Sequence, residues 1–332
     1  MTLNINLLAR DNLATNRVIT LGEKKIEMPV FIPSISSFGL KLSLRKLNRI
    51  INDVSFPRVL ISCYDIHNSQ EKSSKDFIFI KQYVKKNILI LDSGFYESYW
   101  HSDQEWSFEK YSKIITENTF DFYTSYDYVP NTNNIEISFK NIFKFIEKSY
   151  ELKKDACFIP VFHSFDPDHL IKIIELYLKE HQEIGCSIAI PEKELGNDLE
   201  SIISNIIQIK KIINKYNEEK IFHVLGCGDP LSILIYSFFG VDVFDSRDWA
   251  KKVYNRNNLM CYPFSYLNTL NCECEICNSY KGNYTDKVLL HNLIFYENLT
   301  NFIKDNIKKR YFKNILSNYF NNGLVNRLCD RI

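Results

Sequence analysis

Four aspartates stand directly after apolar, strand-like runs of the sequence: Asp65, Asp92, Asp127 and Asp245. A single aspartate in such a place often caps the helix that follows and carries little functional meaning. Four aspartates that each end a strand can be brought together by the fold, and such a group favours one of two chemistries. They can form a metal site of oxygen ligands, or they can supply a nucleophile and an acid–base group for substitution at a glycosidic carbon.

A second group of chemically active residues is a cysteine cluster near the C-terminus. Cys272, Cys274 and Cys277 form a CxCxxC pattern, and His291 follows after thirteen intervening residues. Three thiolates and one imidazole complete a tetrahedral set with no vacant position, which is typical of structural zinc. An iron–sulfur cluster is a minor alternative, since its fourth ligand would have to come from elsewhere in the chain. The pattern therefore predicts a structural zinc ion as the cofactor.

The elements that must position these residues form a regular series of apolar runs, each followed by an amphipathic segment. This alternation predicts an α/β fold, and eight units favour a (β/α)8 TIM barrel over an open doubly wound sheet. Chemistry in such barrels takes place at the carboxyl ends of the strands, where the four aspartates stand. The predicted strands are 28–34, 59–65, 88–94, 120–127, 157–164, 184–191, 221–228 and 241–246.

Two further segments flank the eight units. RVITLGEKKIEM predicts an N-terminal β-hairpin that turns at Gly22 and covers the bottom of the barrel. No linker or low-complexity tract interrupts the chain before about residue 260. We therefore expect residues 1–260 to form the catalytic barrel with its hairpin, and residues 261–332 to form a C-terminal zinc-binding subdomain with a helical appendage.

Composition sets broad limits on function. The chain has 332 residues, 45% of them hydrophobic, so it can bury a sizeable core. Its 41 basic and 40 acidic residues neither indicate nor exclude nucleic-acid binding. No segment reads as a signal peptide or a membrane span, and most cysteines are scattered singly, as in proteins with reduced thiols. The expected location is cytoplasmic, with no membrane partner.

Four segments, in this order, resemble the tRNA-guanine transglycosylases and their relatives that insert 7-deazaguanines into DNA. They are RVITLGEKKIEMPVFIPS, ILILDSGFYES, VLGCGDPLSILIYSFFGVDVFDS and CECEIC with HNLIFYENL. The resemblance covers most of the chain and implies a zinc-containing barrel enzyme, a pentosyltransferase. Such an enzyme removes guanine from a polynucleotide and inserts a 7-deazaguanine through a covalent aspartyl–sugar intermediate.

The resemblance also implies roles for individual residues. Asp245 corresponds to the nucleophile, and Asp92 to the general acid–base group. Asp127 corresponds to the residue that reads the Watson–Crick edge of guanine, while Tyr96 and Leu225 correspond to the residues that sandwich the base. The same correspondence makes Cys272, Cys274, Cys277 and His291 the zinc ligands.

Several pocket positions depart from the family pattern. The family's base-recognising glutamine after the fifth strand is replaced by Phe162 or His163, and its double glycine after the sixth strand becomes Cys186–Ser187. The second glycine of its DSGG segment becomes Phe95. We expect substrate contacts from His163 and Ser187, and also from the following three residues: Ser93, Gly226 and Arg247, the last of which can reach a phosphate.

The substrate class depends on these departures and on the compact chain, which lacks the additional RNA-binding domain of archaeal enzymes. Both features favour the 7-deazaguanine DNA-modifying branch, with DNA as the nucleic-acid partner and a preQ0-type base. A tRNA enzyme of the queuine, preQ1 or archaeosine type is the alternative. A non-catalytic nucleic-acid-binding paralogue is disfavoured because Asp92 and Asp245 are both retained. A homodimer and helper proteins are possible partners.

Overall fold

The computed structural model describes residues 3–37, 44–54, 56–72, 82–130, 132 and 134–332. The strands within these residues are β1 (Leu3–Asp11), β2 (Ala14–Leu21), β3 (Lys24–Met28), β4 (Val30–Ile35), β5 (Arg58–Ser62), β6 (Ile88–Asp92), β7 (Phe122–Thr124), β8 (Cys157–Ile159), β9 (Ser187–Pro191), β10 (Ile221–Leu225), β11 (Val243–Ser246), β12 (Lys252–Tyr254) and β13 (Cys261–Pro263). Short 3-10 helices span Glu192–Glu194, Asp248–Ala250 and Phe264–Thr269.

Helices follow most of the barrel strands and cover the outside of the sheet. Their amphipathic segments agree with the sequence-based assignments, because their buried residues recur at three- and four-residue steps. The described helices are α1 (Leu44–Asp53), α2 (Cys63–Lys72), α3 (Phe95–Trp100), α4 (Phe108–Glu117), α5 (Ile135–Tyr150), α6 (Pro167–His181), α7 (Leu199–Tyr216), α8 (Pro230–Phe238), α9 (Glu275–Ser279), α10 (Tyr284–Lys308), α11 (Phe312–Leu316) and α12 (Asn322–Cys329).

Eight parallel strands form the barrel, as the sequence predicted. Their order is β8-β7-β6-β5-β4-β11-β10-β9. The two outer members of this series also meet, because Phe162 N donates to Ala189 O (3.0 Å) and Ala189 N donates to Pro160 O (3.1 Å). The ring of strands is therefore closed, and the (β/α)8 prediction is confirmed.

The strands are shorter than the apolar runs that predicted them. β5 ends at Ser62, and α2 begins at Cys63, so Asp65 lies in the first turn of a helix and not at the end of a strand. The sequence VLISCYD could not separate these states, because a short apolar run suits either a buried strand or a buried helical turn.

The N-terminal hairpin turns at Gly22, which has a φ of 60°. It is larger than predicted, since β1 adds a third antiparallel strand to β2 and β3. Ile19, Ile26 and Met28 pack in one cluster with residues from the barrel interior. The hairpin therefore covers the amino-terminal end of the barrel.

The long helix α10 packs against β1, β2, β4 and α8. Its Tyr296 stacks on Phe31 of β4, with ring centroids 3.7 Å apart, and many of its residues belong to the main core cluster. The division of the chain at residue 260 stays a prediction, but this helix is anchored directly on the barrel. Among the described residues, no helix combines the length and apolar character needed to cross a bilayer.

Candidate active site

Asp245 lies on β11 and is only 7% exposed. Its Oδ2 accepts a hydrogen bond from Ser34 Oγ (2.7 Å), and its Oδ1 accepts one from the Gly226 backbone N–H (3.3 Å). His223 Nε2 lies 3.0 Å from the same Oδ1. Gly226 has a φ of 77°, which favours glycine. The carboxyl group is therefore held in one orientation by groups from β4, β10 and the turn after β10.

Asp92 is the last residue of β6 and has weaker support. Thr124 Oγ1 donates to Asp92 Oδ1 at 3.4 Å, and Gly94 N donates to Oδ2 at 3.5 Å. Burial raises the pKa of Asp92 well above its ordinary value, and the negative charges of Asp127, Glu97 and Asp245 raise it further. Both effects favour the neutral, protonated form of Asp92. The charge of Asp245 acts on Asp92, so these two carboxyl groups, from the third and eighth barrel strands, lie near each other at the carboxyl end of the barrel, a region that we call the pocket.

His163 connects two more carboxylates in this pocket. Its Nδ1 lies 2.8 Å from Glu194 Oε1, and its Nε2 lies 3.6 Å from Asp127 Oδ2. Burial lowers the pKa of His163, but the two carboxylates outweigh this effect and raise it to about 10. The imidazole is therefore positively charged at neutral pH. Asp127 Oδ1 and His163 Nε2 are buried and have no hydrogen-bond partner.

Tyr96 and Arg247 meet at the mouth of the pocket. Arg247 Nη2 donates to Tyr96 Oη at 2.8 Å, and the guanidinium carbon lies 4.9 Å from the ring centroid. Leu225 is the half-buried last residue of β10, directly before Gly226. The structure thus places Tyr96, Arg247, Leu225 and Gly226 around the carboxyl end of the barrel.

Two predicted substrate contacts lie elsewhere. Ser187 is the first residue of β9, at the amino-terminal end of the barrel, where its Oγ donates to Ile221 O (3.0 Å). The structure does not bring it to the pocket, because β9 carries this position to the end that the hairpin covers. Ser93 has no exposed surface, and its Oγ accepts from Phe95 N (3.2 Å), so it supports the turn after β6.

Sequence reasoning missed three residues of the site: His223, Glu194 and Glu97. His223 alternates with Leu225 along β10, so the two-residue period of a strand could have placed it inside the barrel. Glu194 and Glu97 follow their strands by several residues, and no sequence signal separates them from solvated acids. Glu97 is 5% exposed and accepts from Ser36 Oγ at 2.6 Å.

Cys272, Cys274, Cys277 and His291 form the one group of potential metal ligands among the described residues. His291 Nδ1 lies 3.5–3.6 Å from each of the three Sγ atoms. Zinc bonds of about 2.3 Å to sulfur and about 2.0 Å to nitrogen, at a tetrahedral angle, place these atoms about 3.6 Å apart. The quartet therefore fits a zinc ion. No comparable set of oxygen ligands is found among the residues that the structure describes, which disfavours the oxygen-ligand metal site.

The cysteine–histidine quartet is connected to the pocket through α10. His291 Nε2 lies 2.8 Å from Tyr254 O, a contact that leaves Nδ1 for the metal. The next residue, Asn292, donates from Nδ2 to Trp249 O and Lys252 O, both at 2.7 Å. Trp249 Nε1 in turn donates to Ser34 O at 3.0 Å, and Ser34 holds Asp245.

Comparison with known proteins was consistent with this geometry. The model of the family described as queuine tRNA-ribosyltransferase matches residues 13–323. The tRNA-guanine(15) transglycosylase of Picrophilus torridus is 25% identical over 342 aligned positions, which cover 95% of this chain and 51% of that protein. The chain thus spans about half the length of this curated relative.

Proposed function

Because the chain belongs to the queuine tRNA-ribosyltransferase family, we propose that it is a guanine transglycosylase, a pentosyltransferase that exchanges guanine in a polynucleotide for a 7-deazaguanine. The observation that carries this proposal is the pair of carboxyl groups in one pocket. Asp245 is oriented by donors on both oxygens, whereas burial and neighbouring negative charge raise the pKa of Asp92 and favour its protonated form. The first suits a nucleophile and the second suits a general acid.

The reaction uses these two groups in sequence. A carboxylate oxygen of Asp245 forms a bond to C1′ as the bond from C1′ to guanine breaks, and the proton of Asp92 passes to the departing base. The incoming base returns a proton to Asp92 as its nitrogen attacks C1′ and releases Asp245. Because the first base leaves before the second enters the bond-forming step, the kinetics are ping-pong.

Asp127 and His163 read the base. Asp127 can accept hydrogen bonds from N1–H and the exocyclic amine of guanine, while the charged His163 donates from Nε2 to the carbonyl at C6. Asp127 Oδ1 and His163 Nε2, one acceptor and one donor, are buried without a hydrogen-bond partner and match this edge. Tyr96 and Leu225 flank the ring of the base. Arg247, which stacks on Tyr96, can contact a phosphate of the polynucleotide.

DNA is the preferred substrate of this proposal, because the pocket carries His163 and Phe95 where tRNA enzymes of this family have glutamine and glycine. The tRNA activity in the name of the Picrophilus relative makes tRNA the alternative. In either case the target nucleotide must leave the base stack for C1′ to be reached. The cysteine–histidine quartet would hold a structural zinc ion.

The test is incorporation of labelled guanine into duplex DNA, single-stranded DNA or bulk tRNA, each incubated with the wild-type chain and with Asp245→Asn. We expect label in DNA with the wild type alone. Label in tRNA alone would establish the alternative substrate. Label in none of the three, or equal label with the Asp245→Asn chain, would contradict the proposed activity.

A further inference from the structure

A series of aromatic rings leads out of the pocket. It begins at the buried His163, whose ring centroid lies 6.3 Å from that of Phe95. Phe95 in turn stacks on Tyr99, with centroids 6.4 Å apart and the ring planes 24° from parallel. Phe95 is the first residue of α3, and Tyr99 lies one helical turn later, so the short helix itself sets this spacing.

The outer part of the series is open to solvent. Tyr99 and Trp100 meet edge to face at 5.5 Å, and Trp100 meets Tyr96 at 6.1 Å. The exposed fractions are 67% for Tyr99, 50% for Trp100 and 40% for Tyr96. Large aromatic side chains are normally stabilised by burial, yet this six-residue helix exposes three of them. Such a surface is typical of a binding site that a ligand or partner covers.

Positive charge borders this aromatic surface. Arg247 stacks on Tyr96, and its charge helps to lower the pKa of Lys251, after the larger effect of burial. A ligand that covers both features must offer flat rings and negative charge. A strand of nucleic acid has this combination in every nucleotide, with a π face on each base and a phosphate between successive bases.

We propose that Tyr99 and Trp100 form a stacking platform for the bases next to the exchanged guanine, in a single-stranded or locally opened polynucleotide. This inference rests on the proposed function, because the platform begins at the pocket that takes the extruded base. An extruded nucleotide leaves its neighbours without a stacking partner, and exposed aromatic rings replace that partner for any base. The platform therefore adds affinity without selecting the flanking sequence.

Trp100 offers a direct optical test. Of the three tryptophans, Trp100 is 50% exposed, whereas Trp106 is 7% and Trp249 0% exposed. We expect a single-stranded oligonucleotide to change the tryptophan emission and to protect it from acrylamide quenching. Trp100→Phe should remove both effects while oligonucleotide binding persists, because a phenyl ring still stacks.

Kinetics provide a second readout. Trp100→Ala should raise KM for the oligonucleotide about tenfold, as expected for the loss of one stacked base, and should raise KM for free guanine far less. The matched control is Tyr311→Ala, which removes an aromatic side chain of similar exposure, 51%. Tyr311 lies away from the platform, since its neighbour Phe312 donates from its backbone N–H to Asp11 of the N-terminal hairpin. That control should keep the wild-type KM.

The outcomes separate this platform from the proposed activity. If the wild type exchanges no base but an oligonucleotide still protects Trp100, the proposed function fails and the platform stands. Unchanged quenching at saturating oligonucleotide, or equal KM values for Trp100→Ala and Tyr311→Ala, would overturn the platform. Protection of Trp100 by a protein and not by an oligonucleotide would also overturn it.

Discussion

At the scale of single residues, two aspartates in one pocket differ because of their surroundings. Asp245 has Ser34 Oγ at 2.7 Å and a backbone N–H at 3.3 Å, which hold its carboxyl group in one orientation. Asp92 has only longer contacts, of 3.4 and 3.5 Å, and three negatively charged neighbours that favour its neutral form. These different surroundings agree with the proposed roles, Asp245 as the nucleophile and Asp92 as the acid.

Replacing Asp245 tests its proposed role as the nucleophile directly. Asp245→Asn keeps the shape of the side chain but removes the attacking oxygen anion, so base exchange should fall by on the order of 10⁴-fold or more. The covalent protein–polynucleotide adduct should disappear from denaturing gels. Asp198→Asn is the control, since Asp198 caps α7 and asparagine caps a helix equally well. An adduct that survives in Asp245→Asn would refute the assignment.

Asp127 and Glu194 together raise the pKa of His163, and a pH series can show the contribution of Glu194. Glu194→Gln removes a carboxylate that raises the pKa of His163, so this pKa should fall from about 10 toward neutrality. His163 then loses its proton as pH rises, and KM for guanine should increase several-fold between pH 6 and pH 8. The wild type should show a much smaller increase over the same range. A flat profile for the variant would mean that His163 does not donate to the base.

At the scale of elements, α10 links the cysteine–histidine quartet to Asp245, the proposed nucleophile. His291 and Asn292 are adjacent, and they contact the thiolates and the segment after β11 respectively. Through Trp249 and Ser34, that segment supports the orientation of Asp245. A zinc ion held by the quartet would fix this part of the helix and would thereby help to position Asp245 on another element.

Removal of a zinc ligand should therefore affect both stability and activity. Cys274→Ser should release about one zinc ion per chain and lower Tm, because structural zinc binding is coupled to folding. It should also lower kcat, since the support of Asp245 is loosened. Cys261→Ser is the matched control, because Cys261 is exposed and lies outside the quartet. Metal analysis and thermal melting measure the effect, and an unchanged Tm would exclude a structural role.

At the scale of the whole molecule, Asp242 joins three parts of the barrel bottom. It accepts from Thr15 Oγ1 of the hairpin (2.8 Å) and from Phe222 N of β10 (2.9 Å), and it pairs with Lys210 of α7 at 3.3 Å. Asp242 and Lys210 are both fully buried. The hairpin is thus held on the barrel by a buried, fully paired charge.

Breaking this pair should destabilise the fold. Asp242→Ala leaves the Lys210 ammonium buried without a partner, which costs about 3–5 kcal/mol of unfolding free energy. Lys210→Met in the same chain should recover part of this loss, and Asp155→Ala, at a largely exposed side chain, should stay within about 0.5 kcal/mol of the wild type. Denaturant unfolding measures all three. A loss below about 1 kcal/mol in Asp242→Ala would contradict the role of the pair.

The same pair gives a pH dependence with a definite sign. Burial raises the pKa of Asp242, but the charges of Lys210 and Arg17 lower it below its ordinary value overall. The stabilisation is therefore present above the ordinary pKa of an aspartate, and it is lost as pH falls through the lower, folded-state pKa. The difference in stability between the wild type and Asp242→Ala should accordingly shrink in acid.

The sequence by itself determined the features that depend on local order. Alternating apolar runs and amphipathic segments predicted the eight parallel strands and their helices, because each period follows from the geometry of one element. The spacing of Cys272, Cys274 and Cys277 predicted a metal-binding loop, since neighbouring ligands need little help from the rest of the fold. The position of Asp92 at the end of an apolar run predicted that it lies at the carboxyl end of the barrel, as the structure shows.

Only the tertiary structure decided what depends on distant neighbours. It placed Ser187 at the opposite end of the barrel and Asp65 in a helix, because an apolar run does not reveal where its strand ends. It brought His223 to Asp245, and it brought Asp127 and Glu194 to His163, whose pKa they raise. Protonation depends on burial and on charges from several strands at once, and these distances exist only after the barrel closes.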